Sequence, residues 1–295
     1  MLLLRSALLF LLLSPLLLAG THAMAEPDHA HKEKVKNVLV SIHPLALLVK
    51  SAWPQLTVSS LVPANQSPHD FSLRPSDLGK VANADSVVWL GSEFEPYLSK
   101  LMVKKDSQVD LSKSSENTEM HDEHDEHDEH ESHANHDPHL WLQPQQIPVL
   151  LSIIQAQLNL AAPENFLLSY DAWLNQTKKD FKESKDIGFV SFHDAFYYWV
   201  EFFNLKQLAI VTQNPEKPVG TRHVVKVRNI LASGQASCLF VEPQFQTRLL
   251  NKLTQGLPVN QVKIDPMASK YSINSENFMG FYQGLSQQFK QCFIE

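Results

Sequence analysis

Short apolar segments rich in β-branched residues alternate with helical patterns in both halves of the chain. A strand followed by a helix, repeated several times, is typical of βαβ units that build a parallel sheet. The predicted strands are residues 37–42, 56–62, 86–90, 187–192, 207–211, 237–241 and 261–264. The sequence therefore predicts an α/β fold of two lobes, in which each lobe has a central, mainly parallel sheet flanked by helices.

The longest helical pattern lies between these two groups of strands, from Pro163 to about Lys185. Its larger side chains recur at helical spacing and would share one face: Phe166, Tyr170, Trp173, Thr177 and Phe181. A helix of that length would span about 34 Å. We predict that residues 161–186 form one rigid helix that connects an N-terminal lobe (26–160) to a C-terminal lobe (187–295). A surface helix of a single large domain is the alternative that the pattern leaves open.

The first 25 residues have the composition of a secretory signal. A single basic residue, Arg5, precedes an apolar run, and Ala23-Met24-Ala25 provides an A-x-A cleavage site. We predict that residues 1–25 are a cleavable signal peptide and that the remainder is exported as a soluble protein, not embedded in a membrane. A retained membrane anchor is the alternative, but the apolar run is short and is interrupted by Ser14-Pro15.

Residues 119–137 combine histidine and acid in a way that no globular core requires. Histidine occupies every third position of this tract: His121, His124, His127, His130, His133 and His136. Imidazoles and carboxylates on a flexible tether collect borderline transition metals with low affinity. Because the surrounding segment has no apolar period, we predict that residues 112–137 form a disordered loop that carries secondary metal sites.

The charge of the chain is concentrated in this tract. The formal net charge is −7, whereas residues 119–137 alone contain nine acids and no Lys or Arg. The remainder is therefore close to neutral, and nothing in it is basic enough to make nucleic acid an expected partner.

The two cysteines, Cys238 and Cys292, both lie in the last quarter of the chain. An exported protein meets an oxidising compartment, where an even pair is more often bridged than free. We predict a disulfide between them, and two free buried thiols are the alternative. Neither cysteine belongs to a C-x-x-C motif, so a redox role or a cysteine-ligated zinc site is not expected.

Four polar residues lie beyond predicted strand ends or beside the histidine tract: His69, His139, His193 and Asp265. In open parallel sheets, ligands bind outside the carboxyl ends of the strands. If two such edges face each other across a cleft, these side chains converge. Three neutral imidazoles suit Zn²⁺, with a carboxylate oxygen or water in the fourth position.

Individual members of this set also have other interpretations. A single histidine after a strand is more often a surface or hydrogen-bonded residue than a ligand. We expect His193 to open a helix (193–203), whose dipole would keep the imidazole neutral. Glu242 is a weaker, reserve candidate for a ligand, and His43 is expected to be structural.

Several motifs, taken in order, carry a family resemblance. They are Pro68-His69-Asp70-Phe71-Ser72-Leu73-Arg74-Pro75-Ser76-Asp77, Asp137-Pro138-His139-Leu140-Trp141-Leu142, Ser191-Phe192-His193-Asp194-Ala195-Phe196, Phe240-Val241-Glu242-Pro243-Gln244-Phe245 and Ile264-Asp265-Pro266. With them the chain resembles the zinc-specific periplasmic solute-binding proteins of ABC transporters, the ZnuA type. The histidine loop and the late cysteine pair also resemble that family.

The resemblance implies a metal site in a cleft between two lobes that one long helix bridges. His69, His139 and His193 match the three histidine ligands, and Asp265 matches the carboxylate near the fourth position. Manganese-binding relatives have a glutamate where His193 stands, so histidine there favours zinc. Some zinc-binding members have a glutamate ligand directly before the first histidine. Here that position is Pro68, which leaves Asp265 or water as the fourth ligand.

The function that the resemblance implies is zinc uptake. The expected protein is a monomeric periplasmic receptor that binds Zn²⁺ tightly and delivers it to an inner-membrane ABC permease, without being an enzyme. A zinc-dependent hydrolase or lyase is the first alternative, because three histidines and a water also form a catalytic zinc site. Against it, the chain has no H-E-x-x-H, G-x-S-x-G or P-loop motif. A metal-buffering protein or adhesin of the same fold is the second alternative.

Overall fold

The computed structural model describes residues 35–117, 137–245 and 248–293. The predicted signal peptide and the histidines from His121 to His136 lie outside the described residues, so the predictions made for them remain predictions. The described residues form one compact unit that contains both sheets. None of the described helices combines the length and the apolar character needed to cross a membrane.

The first sheet has four parallel strands in the order β2-β1-β3-β4. The strands are β1 (Asn37–Val40), β2 (Thr57–Ser60), β3 (Ser86–Trp89) and β4 (Gln108–Asp110). The helices in this half are α1 (His43–Ala52), α2 (Pro75–Asn83), α3 (Pro96–Met102) and α4 (Gln146–Leu158). The central strand β1 pairs with β3 in a register that sets Val38 opposite Ser86.

The second sheet repeats this topology with the order β6-β5-β7-β8, again all parallel. Its strands are β5 (Gly188–His193), β6 (Lys206–Thr212), β7 (Cys238–Val241) and β8 (Gln261–Lys263). Its helices are α6 (Tyr197–Phe203), α7 (Thr221–Ala232), α8 (Arg248–Thr254) and α9 (Asn277–Phe293). Two parallel sheets flanked by helices confirm the predicted fold class.

Burial explains why the sequences of the central strands are nearly continuous apolar runs. Every residue of β3, β5 and β7 is buried, as expected for parallel strands covered by helices on both faces. The edge strand β2 instead alternates between exposed and half-buried positions. The carboxyl ends of the buried strands therefore form rigid platforms for the loops that follow them.

The predicted central helix is present but shorter than expected. Helix α5 covers Glu164–Phe181, which corresponds to about 27 Å. All five residues of the predicted face are buried, and the ring of Trp173 lies 4.9 Å from that of Tyr282 in α9. The helical pattern was therefore interpreted correctly. The role of α5 as a rigid connector between lobes remains a proposal.

Other boundaries differ from the predictions for local reasons. Helix α2 begins at Pro75, its N-cap is Arg74, and Asp77 accepts a hydrogen bond from the Arg74 backbone N–H at 3.0 Å. Residues Ser112–Asn117 form a 3₁₀ helix, so the prediction of disorder is wrong for the start of the 112–137 segment. The short elements α3, β4 and α8 were not predicted, because three to seven residues show no clear period.

The predicted disulfide is present. Cys238 in β7 is bonded to Cys292 in α9, with their Cα atoms 5.4 Å apart. Both residues are buried, and the bond closes a loop with a sequence separation of 54. In the chain-entropy model, such a loop restricts the unfolded chain by about 4 kcal/mol. The bond thus fixes the last helix to a central strand of the second sheet.

Candidate metal centre

His69 lies in the loop between β2 and α2, directly after Pro68. The residue is half-buried, but its Nε2 atom is fully buried and has no hydrogen-bond partner within the described parts of the chain. The backbone N–H of His69 donates a hydrogen bond to the Ser67 hydroxyl at 3.3 Å. The loop therefore places a buried ring nitrogen where it can still bind a metal ion or form a hydrogen bond.

His139 lies immediately before a short 3₁₀ helix formed by Leu140–Leu142, whose three residues are buried and anchor the segment. Its Nδ1 is 2.6 Å from Oδ1 of Asp137, and its backbone N–H donates to the same oxygen at 2.9 Å. Because a carboxylate can only accept, Nδ1 carries the hydrogen. The lone pair of the neutral ring is consequently on Nε2.

His193 is the last residue of β5, and it is almost completely buried. The next helix begins only at Tyr197, so the prediction that His193 opens a helix is wrong, and the helix dipole does not act on its ring. Its Nδ1 lies 3.1 Å from Oε1 of Glu242, the residue that follows β7. Glu242, the reserve candidate for a ligand, is thus the hydrogen-bond partner of His193 in this structure.

The three imidazoles converge from different parts of the sequence. The centroid of the His193 ring lies 5.0 Å from that of His69 and 5.0 Å from that of His139, and the remaining pair is 5.5 Å apart. Each ring offers one nitrogen, and the three nitrogens lie within 4.8 Å of one another. Zn–N bonds of about 2.0–2.1 Å in a tetrahedron require nitrogens about 3.4 Å apart, so small side-chain movements would complete a zinc site.

The electrostatics of the cluster differ between His69 and His193. Burial, followed by the neighbouring His139 and His193, lowers the pKa of His69 to about 2. Burial is the largest single influence on His193 and acts to lower its pKa, but Glu242, Asp194 and Asp137 together outweigh it, so the net direction is upward. His69 is thus neutral at any physiological pH, whereas Glu242 would stabilise positive charge near His193, whether from a proton or from a metal ion.

A small cavity of ≈ 10 Å³ lies beside the three rings, which is about the room of one water molecule. Five of the residues that line it are apolar or aromatic: Pro68, Trp141, Phe245, Pro266 and Met267. The Trp141 ring is 5.1 Å from His139, and its indole N–H donates to the Pro266 carbonyl at 2.9 Å. Packed apolar side chains thus border the three rings.

Asp265, which the sequence offered together with water as the fourth ligand, is not part of the histidine cluster in this structure. Its Oδ1 accepts hydrogen bonds from Gln244 Nε2 at 2.7 Å and from the Met267 backbone N–H at 3.0 Å. Its Oδ2 accepts from the backbone N–H and the hydroxyl of Ser269, both at 2.6 Å. Four hydrogen bonds occupy this carboxylate, which explains why it does not reach the centre.

Sequence reasoning did not identify the two carboxylates behind the rings, Asp137 and Glu242, as partners of histidines. For Asp137 a signal existed, because an Asp two residues before a histidine can bind its ring. For Glu242 no local signal existed, because its partner is 49 residues away in sequence. Carboxylate–histidine pairs of this kind fix the tautomer of metal-binding histidines and raise their basicity.

Comparisons with known proteins agree with a zinc centre. The sequence model of a family described as "Zinc-uptake complex component A periplasmic", ZnuA, matches residues 38–292. The chain is similar to the high-affinity zinc uptake system protein ZnuA of Haemophilus ducreyi, with 32% identity over 290 residues, covering 88% of this chain and 94% of the relative.

Solved structures show the same fold at lower identity. A crystal structure of ZnuA has a TM-score of 0.67 at 20% identity, and the match covers 86% of this chain and 98% of that chain. A ZnuA variant lacking residues 138–173 of its own chain, with zinc bound, has a TM-score of 0.64 at 21% identity, covering 85% and 97%. At these identities the likeness concerns the fold.

Proposed function

The chain belongs to the family of periplasmic zinc-uptake components, and on this premise we propose that it binds Zn²⁺ with high affinity in the periplasm and delivers it to an inner-membrane ABC permease. The observation that carries the proposal is the convergence of His69, His139 and His193 on one buried point. Zinc is the cargo of this site, so the site has to release the ion as well as bind it.

The donor set supports zinc as the ion. Three imidazole nitrogens form a site of borderline softness that suits Zn²⁺ better than Mn²⁺, which prefers oxygen ligands. Asp137 and Glu242 lie behind two of the rings and together carry two negative charges, which would offset the charge of a divalent ion. Burial of an ion without such compensation would be strongly unfavourable.

The position of the site supports a receptor of two lobes. His69 and His139 precede α5 in sequence, whereas His193 and Glu242 follow it. We propose the lobes as residues 26–160 and 187–295, connected by the segment 161–186 that contains α5, in a protein that acts as a monomer. We further propose that the histidines from His121 to His136 collect zinc weakly and pass it to the buried centre.

The alternatives from the sequence are not favoured. The family is one of zinc uptake rather than of an enzyme, and its curated relatives are named for uptake. A zinc hydrolase would also need a general base beside the metal. Among the residues that line the cavity, the carboxylate of Glu242 is already hydrogen-bonded to His193. A metal buffer or adhesin would not need a permease partner, and a growth experiment separates it from a transporter component.

Zinc affinity tests the site. Competition against a chelator of known affinity should give one tight site in the parent protein. The double variant His69→Ala/His193→Ala should lose that site, whereas His223→Ala, which alters an exposed histidine of α7, should keep it. A double variant that holds one zinc as tightly as the parent would show that the metal binds elsewhere.

Growth under zinc limitation tests delivery. A strain lacking this protein should grow poorly when zinc is chelated, and added zinc should restore growth. The parent gene should complement the defect and the double histidine variant should not. Normal growth of the deletion strain under zinc limitation would favour the buffering or adhesin hypothesis.

A further inference from the structure

Gln244 lies two residues after Glu242 and lines the cavity beside the three histidines. Its Nε2 is 2.7 Å from Oδ1 of Asp265 and 3.5 Å from the backbone carbonyl of Ala64. A carboxylate and a carbonyl can only accept hydrogen bonds, so the amide nitrogen has to face them. The orientation of the Gln244 amide is therefore determined by its partners.

This orientation leaves the amide oxygen of Gln244 unused. Its Oε1 is buried and has no hydrogen-bond partner among residues 35–117, 137–245 and 248–293. Gln244 lines the cavity, whereas Asp265 and Ala64 are not among the lining residues, so the oxygen is the end of the amide that faces the centre. A buried acceptor without a partner destabilises the folded state by about 1–3 kcal/mol.

Two ring nitrogens in the same cavity wall, Nε2 of His69 and Nε2 of His193, also have no hydrogen-bond partner among the described residues. Two nitrogens that can bind a metal and one oxygen that can accept a hydrogen bond thus surround a common space. A zinc ion would bind the two nitrogens at about 2.0–2.1 Å, which is shorter than a hydrogen bond from a water molecule. The ion and a water molecule therefore occupy different positions. The amide oxygen needs a hydrogen-bond donor, and a metal-bound water supplies one.

We propose that Gln244 holds a water molecule in the fourth coordination position of the bound zinc, an inference that rests on the proposed zinc site. The water donates a hydrogen bond to Oε1 of Gln244 and occupies the cavity, which has the volume of a single water. Asp265 is then a positioning residue, because it orients the Gln244 amide without touching the ion.

This arrangement explains why Asp265 lies near the centre without being a ligand. To coordinate the ion, Asp265 would have to give up hydrogen bonds from Gln244, Met267 or Ser269. A neutral water held by an amide leaves a zinc ion more readily than a carboxylate does. The fourth position is consequently the one at which an incoming ligand from a partner protein can begin to remove the ion.

The variant Gln244→Met tests the proposal, because methionine has a similar length but cannot accept a hydrogen bond of comparable strength. Zn²⁺ affinity should fall about 10- to 100-fold, while one ion per protein is still bound by the three histidines. With Co²⁺ in place of Zn²⁺, the visible absorption bands should change in position or intensity, since they report the ligands of the ion. Gln157→Met, at an exposed position in α4, is the matched control and should alter neither.

A measurement on the parent protein avoids dependence on the folding of the variant. In the Co²⁺-loaded parent, water enriched in oxygen-17 should broaden the electron paramagnetic resonance signal, as expected for a directly bound water. No broadening, or unchanged cobalt bands and zinc affinity in Gln244→Met, would overturn the role of Gln244. Either result would leave the three-histidine site standing, which only the His69→Ala/His193→Ala variant tests.

Discussion

Glu242 and His193 form a buried pair in which Nδ1 of the ring donates to Oε1 of the carboxylate at 3.1 Å, and the two side chains are only 2% and 3% exposed. The pair joins the ends of two neighbouring strands, β5 and β7, of the second sheet. It fixes the rotation of the ring, and it directs Nε2 toward the other two histidines.

The variant Glu242→Leu should bind zinc about 10- to 100-fold more weakly than the parent, because His193 loses the acceptor that orients it and the negative charge that offsets the ion. Glu242→Gln should lose less zinc affinity, since its amide oxygen can still accept the hydrogen bond from Nδ1 of His193. Chelator competition measures both variants. Glu183→Leu, at an exposed position just after α5, is the control. Equal affinities in Glu242→Leu and the parent would mean that this carboxylate has no part in metal binding.

Removal of the histidine tract should leave the tight zinc site intact if the deletion ends at His136. Asp137 has to be kept, because its Oδ1 binds both the ring and the backbone N–H of His139. A deletion of residues 118–136 should therefore keep one tight zinc and lose only weaker binding in a titration. Extending the deletion through Asp137 should weaken the tight site. Loss of tight binding in the shorter deletion would make the tract the principal site.

Glu95 should make the stability of the zinc-free protein depend on pH. Burial raises the pKa of this carboxyl to about 7, against the hydrogen bond from the Leu90 N–H at 2.6 Å, while the nearby Asp110 adds to the increase. An acid with a raised pKa binds its proton more tightly in the folded state. The contribution of Glu95 to the free energy of unfolding therefore falls by about 3 kcal/mol as pH rises from about 4.5 to about 7.

Urea unfolding of the parent and of Glu95→Gln, with a chelator present, measures this contribution. The free energy of unfolding of the parent should decrease relative to that of the variant between pH 5 and pH 8, and the difference should be constant above that range. The lowered pKa of His69 has the opposite effect, because it makes the free energy of unfolding rise with pH. Both proteins contain His69, so this effect cancels in the difference between them. Glu201→Gln, at an exposed glutamate in α6, should show no such trend. A difference between Glu95→Gln and the parent that does not change with pH would contradict the raised pKa.

Two glycines should respond in opposite directions to alanine. Gly91 follows β3 with φ +95°, and an added Cβ would lie 2.6 Å from the Cβ of Ser112. Gly79 lies inside α2 with nothing within 4 Å of an added Cβ. Gly91→Ala should destabilise the fold by about 1–3 kcal/mol through backbone strain and the contact, whereas Gly79→Ala should stabilise it by up to about 1 kcal/mol. Thermal unfolding compares the two, and a stabilised Gly91→Ala would refute the argument.

The convergence of the three histidines could be predicted because each is tied to a local pattern, a strand end or a short motif, that places it at a sheet edge. That Gln244 lines the cavity and Asp265 does not could not be predicted in that way. These side chains are 21 residues apart, and only the folded chain decides that Asp265 binds backbone N–H groups while the amide faces the cavity. The boundary at His193 was missed for a related reason, because the apolar residues after it fit the start of a helix and the end of a strand equally well.

Trp141 links the two halves of the protein close to the metal centre. Its indole N–H donates to the Pro266 carbonyl, and its own carbonyl accepts from the Tyr282 hydroxyl at 2.6 Å. These bonds do not involve an ion, so we expect them to hold the segment that contains His139 in place whether or not zinc is bound. Loading then need not wait for a wide opening of the molecule. His69 is the most exposed of the three histidines, so we expect an ion to enter and leave beside the loop of residues 61–74 that carries it.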